Sequence, residues 1–263
     1  MSFSKDTKKE LCTADVNSDE EMRSMVYGMV LFTNVFTPSA ISFSTECHCA
    51  ASYYSESISS FASVISDISV TLTKKGSEGK IYNFRIPDRN DCSRIFELFG
   101  HSPDAPNLRV NRSNIDEENS LPLFIRGAFL VCGNVTDPEK DYHLEFAVPH
   151  MKLAGDLSRV LSETGIITAE PKVVRRKGSY VVYIKGSDNI ADLLTYMGAP
   201  MSSLELVQRK IFKSVRNKVN RQINSETANS NKTAAAAAKQ IIAIEKIKNT
   251  KGLRLERTNT ISS

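Results

Sequence analysis

Two kinds of side chain in this sequence could do chemistry: soft metal ligands in one tripeptide, and cations in two clusters. Cys47-His48-Cys49 packs three metal-binding groups into three residues. A tetrahedral site needs a second Cys/His cluster to close it, and none follows, because Cys12, Cys92 and Cys132 are scattered. The alternation along ISFSTECHCA (residues 41–50) reads as a strand, so neither a metal nor another cofactor is expected. Five cysteines, an odd number without regular spacing, argue against a disulfide framework.

The cations are unevenly placed. From Glu205 onward there are 13 Lys and Arg against 4 Asp and Glu, a net of +9, while the rest holds 21 against 26, a net of −5. Such asymmetry points to a module that seeks a polyanion, with a merely solvated helix as the competing reading. Leu204, Val207, Ile211, Val215, Val219 and Ile223 recur at three- and four-residue steps, which predicts one amphipathic helix. Arg209, Lys213, Arg216, Asn220 and Asn224 lie along another face, with Asn217 and Arg221 beside it and Lys232 farther on.

Lys and Arg neutralise phosphates, and Asn donates to phosphate oxygens or reads adenine. Glu226 would be repelled by phosphate. We therefore assign Arg209, Lys213, Arg216, Arg221 and Lys232 to DNA. Asn217, Asn220, Asn224, Glu226, Thr227 and Asn229 are assigned to a structural junction, where Asn224, Ser225 or Thr227 could cap a new segment. A second basic cluster, Arg175, Arg176 and Lys177 with Lys172, falls at a hairpin and could meet backbone phosphates; Lys74 and Lys75 hold the matching place earlier in the chain.

The elements that must position these residues repeat. EEMRSMVYGMVLFT reads as a helix, AISFSTEC as a strand, ESISSFASVISDI as a helix, and SVTLTKK and KIYNFRIP as strands around a turn at residues 76–79. DRNDCSRIFELFG closes as a helix, with Asp88 as N-cap and Gly100 as stop. LPLFIRGAFLVCG opens a second series, with Ser120 as cap, and SDNIADLLTYMG closes it. Matching glycines, Gly28 with Gly127 and Gly100 with Gly198, set the period at 99 and 98 residues. The expected fold class is α+β: two tandem α-β-β-α-β-β-α halves over 1–110 and 111–202, then a basic helical region over 203–263. The polar stretch 111–120 is the expected connector.

At VYGMVLFTN and IRGAFLVCGNV the chain resembles the LAGLIDADG homing-endonuclease fold, in which two such helices pack through small residues and two β-saddles sit on duplex DNA. More closely, SFSKDTKKEL, RGAFLVCGNVTDPEKDYHLEF and RNKVNRQINSETANSNK resemble the WhiA family of bacterial regulators. That resemblance implies LAGLIDADG-like halves forming a saddle, a C-terminal helix-turn-helix, double-stranded DNA as partner, and roles in transcription, sporulation, cell division and chromosome segregation. A homing endonuclease needs a carboxylate at the foot of each helix to hold its metals. Aligned on Gly28 and Gly127, those feet are Thr33 and Cys132, poor ligands for magnesium, and Asp137 falls beyond the helix in a turn. No catalytic residue is expected.

The polar end NTKGLRLERTNTISS lacks another periodic helix, so the helix-turn-helix is expected to be incomplete and sequence reading lost. With neither a signal-like start nor a long apolar run, the expected location is the cytoplasm, at the nucleoid. A protein- or ligand-binding adaptor of cell division, partnered by other division proteins rather than DNA, is the alternative.

Overall fold

The computed structural model of the chain describes residues 2–63, 69–75, 79–115 and 119–259. Residues 76–78 of the turn expected at 76–79, the middle of the connector and the tail of the helix expected to reach residue 68 lie outside these residues. The chain forms two compact units, residues 1–210 and 211–263.

In the first unit, α1 (Phe3–Thr13) precedes α2 (Asp19–Leu31), β1 (Val35–Thr37), β2 (Ala40–Thr45), α3 (His48–Phe61), β3 (Ser69–Lys75), β4 (Gly79–Ile86) and α4 (Arg89–Leu98). The second series is α5 (Ser120–Cys132), β5 (Gly133–Val135), β6 (His143–Val148), α6 (Met151–Glu163), β7 (Lys172–Arg176), β8 (Ser179–Lys185) and α7 (Ser187–Met197). Then α8 runs from Pro200 to Asn259, its first residues in the first unit. Each series builds one antiparallel sheet, ordered β1-β2-β4-β3 and β5-β6-β8-β7. The expected repeat is therefore realised element by element.

The two halves meet where α2 packs along α5. A Cβ on Gly28 would strike the Phe124 carbonyl oxygen, and one on Gly127 the Met25 carbonyl oxygen. Each glycine thus admits the other helix's backbone, which no larger residue allows. Period-two alternation turns Ile41 and Phe43, Phe84 and Ile86, Leu144, Phe146 and Val148, and Val182 and Ile184 into the core, each at most 2% exposed. The opposite face of each sheet carries mainly polar side chains, interrupted by Ile81 on the first and by Ala147, Val174 and Val181 on the second.

Local signals explain several boundaries. Ser18 Oγ accepts from Glu21 N at 3.1 Å, and Glu21 reaches back to Asn17 N at 2.7 Å, a reciprocal cap on α2. Asp88 accepts from Asn90 N and Asp91 N, as expected. Gly198 ends α7 at φ +95°, and Lys177 and Gly178 both have positive φ (49° and 86°), the signature of a tight type I′ hairpin.

Three expectations need correction and one, the connector, gains detail. Cys47-His48-Cys49 is not strand: β2 stops at Thr45, Cys47 takes the N-cap position of α3, and the next two residues are helical. Ser120 is the first residue of α5 rather than its cap. The polar stretch after Asn111 begins as packed structure, since Asn114 is 4% exposed and accepts from Arg23 Nη2 at 3.0 Å. No new segment starts at Asn224, because α8 continues through it. Asparagine costs a helix only a few tenths of a kcal/mol, and neither Pro nor Gly intervenes before Gly252.

Candidate nucleic-acid interface

At the feet of α2 and α5 stand Thr33 and Cys132. Thr33 is 1% exposed, and its hydroxyl is satisfied by the carbonyls of Val30 (2.8 Å) and Val35 (3.0 Å). Burial pushes the Cys132 thiol up to about 12, so it rests protonated. Both line a small cavity of about 230 Å³ with Phe32, Asn34, Ser44 and Ala147, and among the described residues no carboxylate contributes to its wall. Among the described residues, no group of three or more His, Cys, Asp or Glu side chains is placed to hold a metal ion. Asp137 makes a turn: its carboxylate accepts from Glu139 N at 3.0 Å, and its carbonyl from Lys140 N at 2.8 Å.

The outward sheet faces follow from register. Lys172 pairs with Tyr183, Val174 with Val181 and Arg176 with Ser179, all on the face turned away from the helices. Arg175 pairs with Tyr180 and so points to the opposite face, which separates it from Arg176. Lys177 occupies the tight turn itself. Arg176 lies 3.5 Å from Glu145, which also meets His143 at 3.2 Å. His143 stacks on Tyr183 with centroids 5.2 Å apart, and Lys185 Nζ sits 5.6 Å from the same ring. Sequence reading missed His143, Tyr183 and Lys185. Their alternation with buried Leu144, Val182 and Ile184 would have revealed them.

In the first turns of α8 the expected cations divide. Glu10 of α1 caps the helix, accepting from Met201 N at 2.7 Å and Ser202 N at 2.8 Å. Arg209 is not a free phosphate ligand: it bonds Glu205 at 2.6 Å and lies 3.4 Å from Asp137 and 4.0 Å from Glu139. Those carboxylates hold its charge within the body. Lys210 pairs with Asp188 at 2.6 Å.

Within the second unit, Arg216, Arg221 and Lys232 are exposed and Lys213 is half-buried. Arg216 and Arg221, five residues apart, sit about 140° from each other around the helix, one on each side of the amide face. Asn217, Asn220, Asn224, Thr227 and Asn229 are likewise exposed. Glu226 accepts from Gln222 Nε2 at 3.0 Å, one turn earlier. The apolar stripe on this helix is also open, with Ile211, Val215, Val219 and Ile223 between 47% and 56% exposed.

Comparison with known proteins bears directly on both units. A family model described as the WhiA LAGLIDADG-like domain matches residues 121–216, and one described as the WhiA C-terminal HTH domain matches residues 219–261. The second match falls on the region expected to be incomplete, although the described backbone there is a single helix without a turn. A probable cell division protein WhiA from Clostridium perfringens (strain SM101 / Type A) is 32% identical over 262 residues, covering 96% of this chain and 82% of that protein. Its counterpart from Clostridium botulinum (strain Eklund 17B / Type B) is 34% identical over 263 residues, covering 97% and 82%. A crystal structure of full-length DUF199/WhiA from Thermatoga maritima superposes with TM-score 0.65 at 21% identity, covering 93% of this chain and 78% of that one, which establishes the shared fold. Among the described residues no helix is long and apolar enough to cross a membrane.

Proposed function

The chain belongs to the WhiA family, and from that premise we propose that it is a non-catalytic, DNA-binding regulator of cell division. The observation that carries this reading is the coincidence of two features on one segment. The helix-turn-helix family model matches residues 219–261, which hold 8 basic against 3 acidic residues and lie within the cationic segment from Glu205 onward, 13 basic against 4 acidic. A cationic helix binds duplex DNA first through phosphates, releasing counterions.

Residues 1–110 and 111–202 act in this reading as the two halves of a LAGLIDADG-derived body, and residues 203–263 deliver the cationic region to DNA. The finer role is control of transcription linked to sporulation and chromosome segregation, exercised at the nucleoid in the cytoplasm. The body has exchanged the metal-holding acids of a nuclease for Thr33 and Cys132, so supercoiled plasmid should stay uncut with magnesium or manganese.

The test is binding of the full chain to random duplex DNA across a salt series. Replacing Arg216 and Arg221 with alanine should weaken binding to every sequence and reduce the slope of log K against log salt by about 2. Binding that ignores both salt and the double substitution would sink the proposal and favour the adaptor reading, for which the open stripe from Ile211 to Ile223 supplies a surface.

A further inference from the structure

Four of the five cysteines and one lysine converge where α1 and α3 pack together beside the end of α5. Lys8 and Cys12 come from α1, Cys47 caps α3, Cys49 lies in its first turn, and Cys132 ends α5. Lys8 is buried, its Nζ 5.8 Å from the centre of the Phe129 ring, in the field of Cys132, Cys47, Cys12 and Cys49. The Sγ atoms of Cys47 and Cys49 are 2.9 Å apart, and burial beside Cys49 and Cys47 raises the pKa of the Cys12 thiol. All five thiols are free. This cluster plays no part in the DNA reading above.

We propose that Cys47 and Cys49 form an oxidative modification site, which hydrogen peroxide converts into a disulfide. The bond requires the sulfurs to close by on the order of 1 Å. The backbone at this point is a helix start, where Cys47 is still extended (φ −98°, ψ 110°) and has room to adjust. Cys49 is half-buried and can be reached from solvent, while Cys47 is 7% exposed. That difference orders the steps. The Cys49 sulfur attacks a peroxide oxygen, an S–O bond forms as the O–O bond breaks, and water leaves, giving a sulfenic acid. The Cys47 sulfur then attacks Cys49, an S–S bond forms as the S–O bond breaks, and a second water carries off the remaining proton. Two electrons pass from sulfur to peroxide.

Burial, reinforced by Cys47, pushes the Cys49 thiol up to about 11. Cys49 therefore rests as a protonated thiol and reacts slowly, at peroxide levels well above those a low-pKa sensor needs.

The experiment treats the full chain with hydrogen peroxide, alkylates the remaining thiols, and maps peptides by mass. Two of the five thiols should be lost together, from the one peptide that carries residues 47–49, and return with dithiothreitol. Cys47→Ser should stop at a sulfenic acid on Cys49 that dimedone traps, and Cys49→Ser should leave Cys47 reduced. Serine suits a helix start, and circular dichroism of each variant checks that the fold survives. Cys132→Ser should oxidise like the parent. A peptide that keeps both thiols while others oxidise would overturn the proposal. So would a bridge mapped to Cys12 and Cys49, or one joining two chains.

Discussion

On the first sheet, the face turned away from the helices carries Ser42, Ser44, Thr71, Thr73 and Asn83, with Ile81 and Arg85; the second sheet carries Lys172, Arg176, His143, Glu145, Tyr183 and Lys185, with Val174 and Val181. The first face is knitted by neutral bonds, with Ser44 Oγ donating to Asn83 and Asn83 to Thr73, both at 2.9 Å. The second is a charged and aromatic network around Glu145 and Tyr183. One architecture thus supports two chemistries. Sheet order and helix packing are held constant by backbone constraints, while outward strand positions, which touch nothing in the core, are free to diverge. The halves also differ at specific buried points, and those differences can be tested in order of size.

The seam should be the most sensitive feature and the most symmetric. Gly28→Val and Gly127→Val each push a branched side chain into a neighbouring backbone, with no flexible side chain to yield. Each should cost roughly 4 kcal/mol, at the severe end of overpacking, read as a shift in urea midpoint. If one were tolerated and the other not, the two helices would not be equivalent partners, and the period marked by the glycines would be coincidental.

Just before each glycine the halves part company. Arg126 is 5% exposed and donates to the carbonyls of Met197 (2.6 Å), Asp15 (3.1 Å) and Ala14 (3.3 Å), tying α5 to the ends of α7 and α1. Its counterpart Tyr27 is fully buried, and its hydroxyl accepts from Asn111 N at 2.6 Å. Arg126→Ala strands the buried Met197 carbonyl and two part-buried ones and should cost about 3 kcal/mol. Tyr27→Phe removes one acceptor while keeping the ring and should cost about 1 kcal/mol. Equal losses would mean that Arg126 serves as packing rather than as a polar clamp.

The repeat was legible because glycine seams, alternating strands and turn residues are local signals. Thr33 and Cys132 could be placed by counting from Gly28 and Gly127. Arg126 could not, since a lone cation in an apolar helix reads as its solvent side, and the carbonyls that bind it come from distant segments. Cys47-His48-Cys49 misled because period-two alternation continues for three residues past the end of β2, where a helix start tolerates either pattern. The separation of Arg175 from Arg176 was within reach of alternation alone, whereas the capture of Arg209 required knowing that Asp137 and Glu139 lie beside it. Helix α1 carried no element signal of its own; its register is set by Thr7, buried Leu11 and the Glu10 cap on α8.

The smallest expected effect concerns the position after each closing glycine, His101 in one half and Ala199 in the other. His101 stacks on Tyr27 at 5.8 Å and packs against Phe36 and Phe96, and its Nε2 is buried without a partner among the described residues. Burial pushes its pKa down to about 4. An unfolded histidine titrates near 6.5, so between roughly pH 6.5 and 4 the unfolded chain binds a proton that the native chain refuses. The stability that His101 protects is therefore fully present above about pH 6.5 and is lost as the pH falls toward 4. Allowing for the ring's partial solvent contact, the loss should be about 1–2 kcal/mol. His101→Leu fills similar space without a titrating group. Its stability should run flatter than the parent's across that window when urea midpoints are measured at successive pH values. Because the slope rather than the level is compared, any packing cost of the substitution cancels. Parallel slopes would place the ring in contact with enough water to ionise in the folded state, and would make the first half as insensitive to acid at this position as the second, where alanine has nothing to titrate.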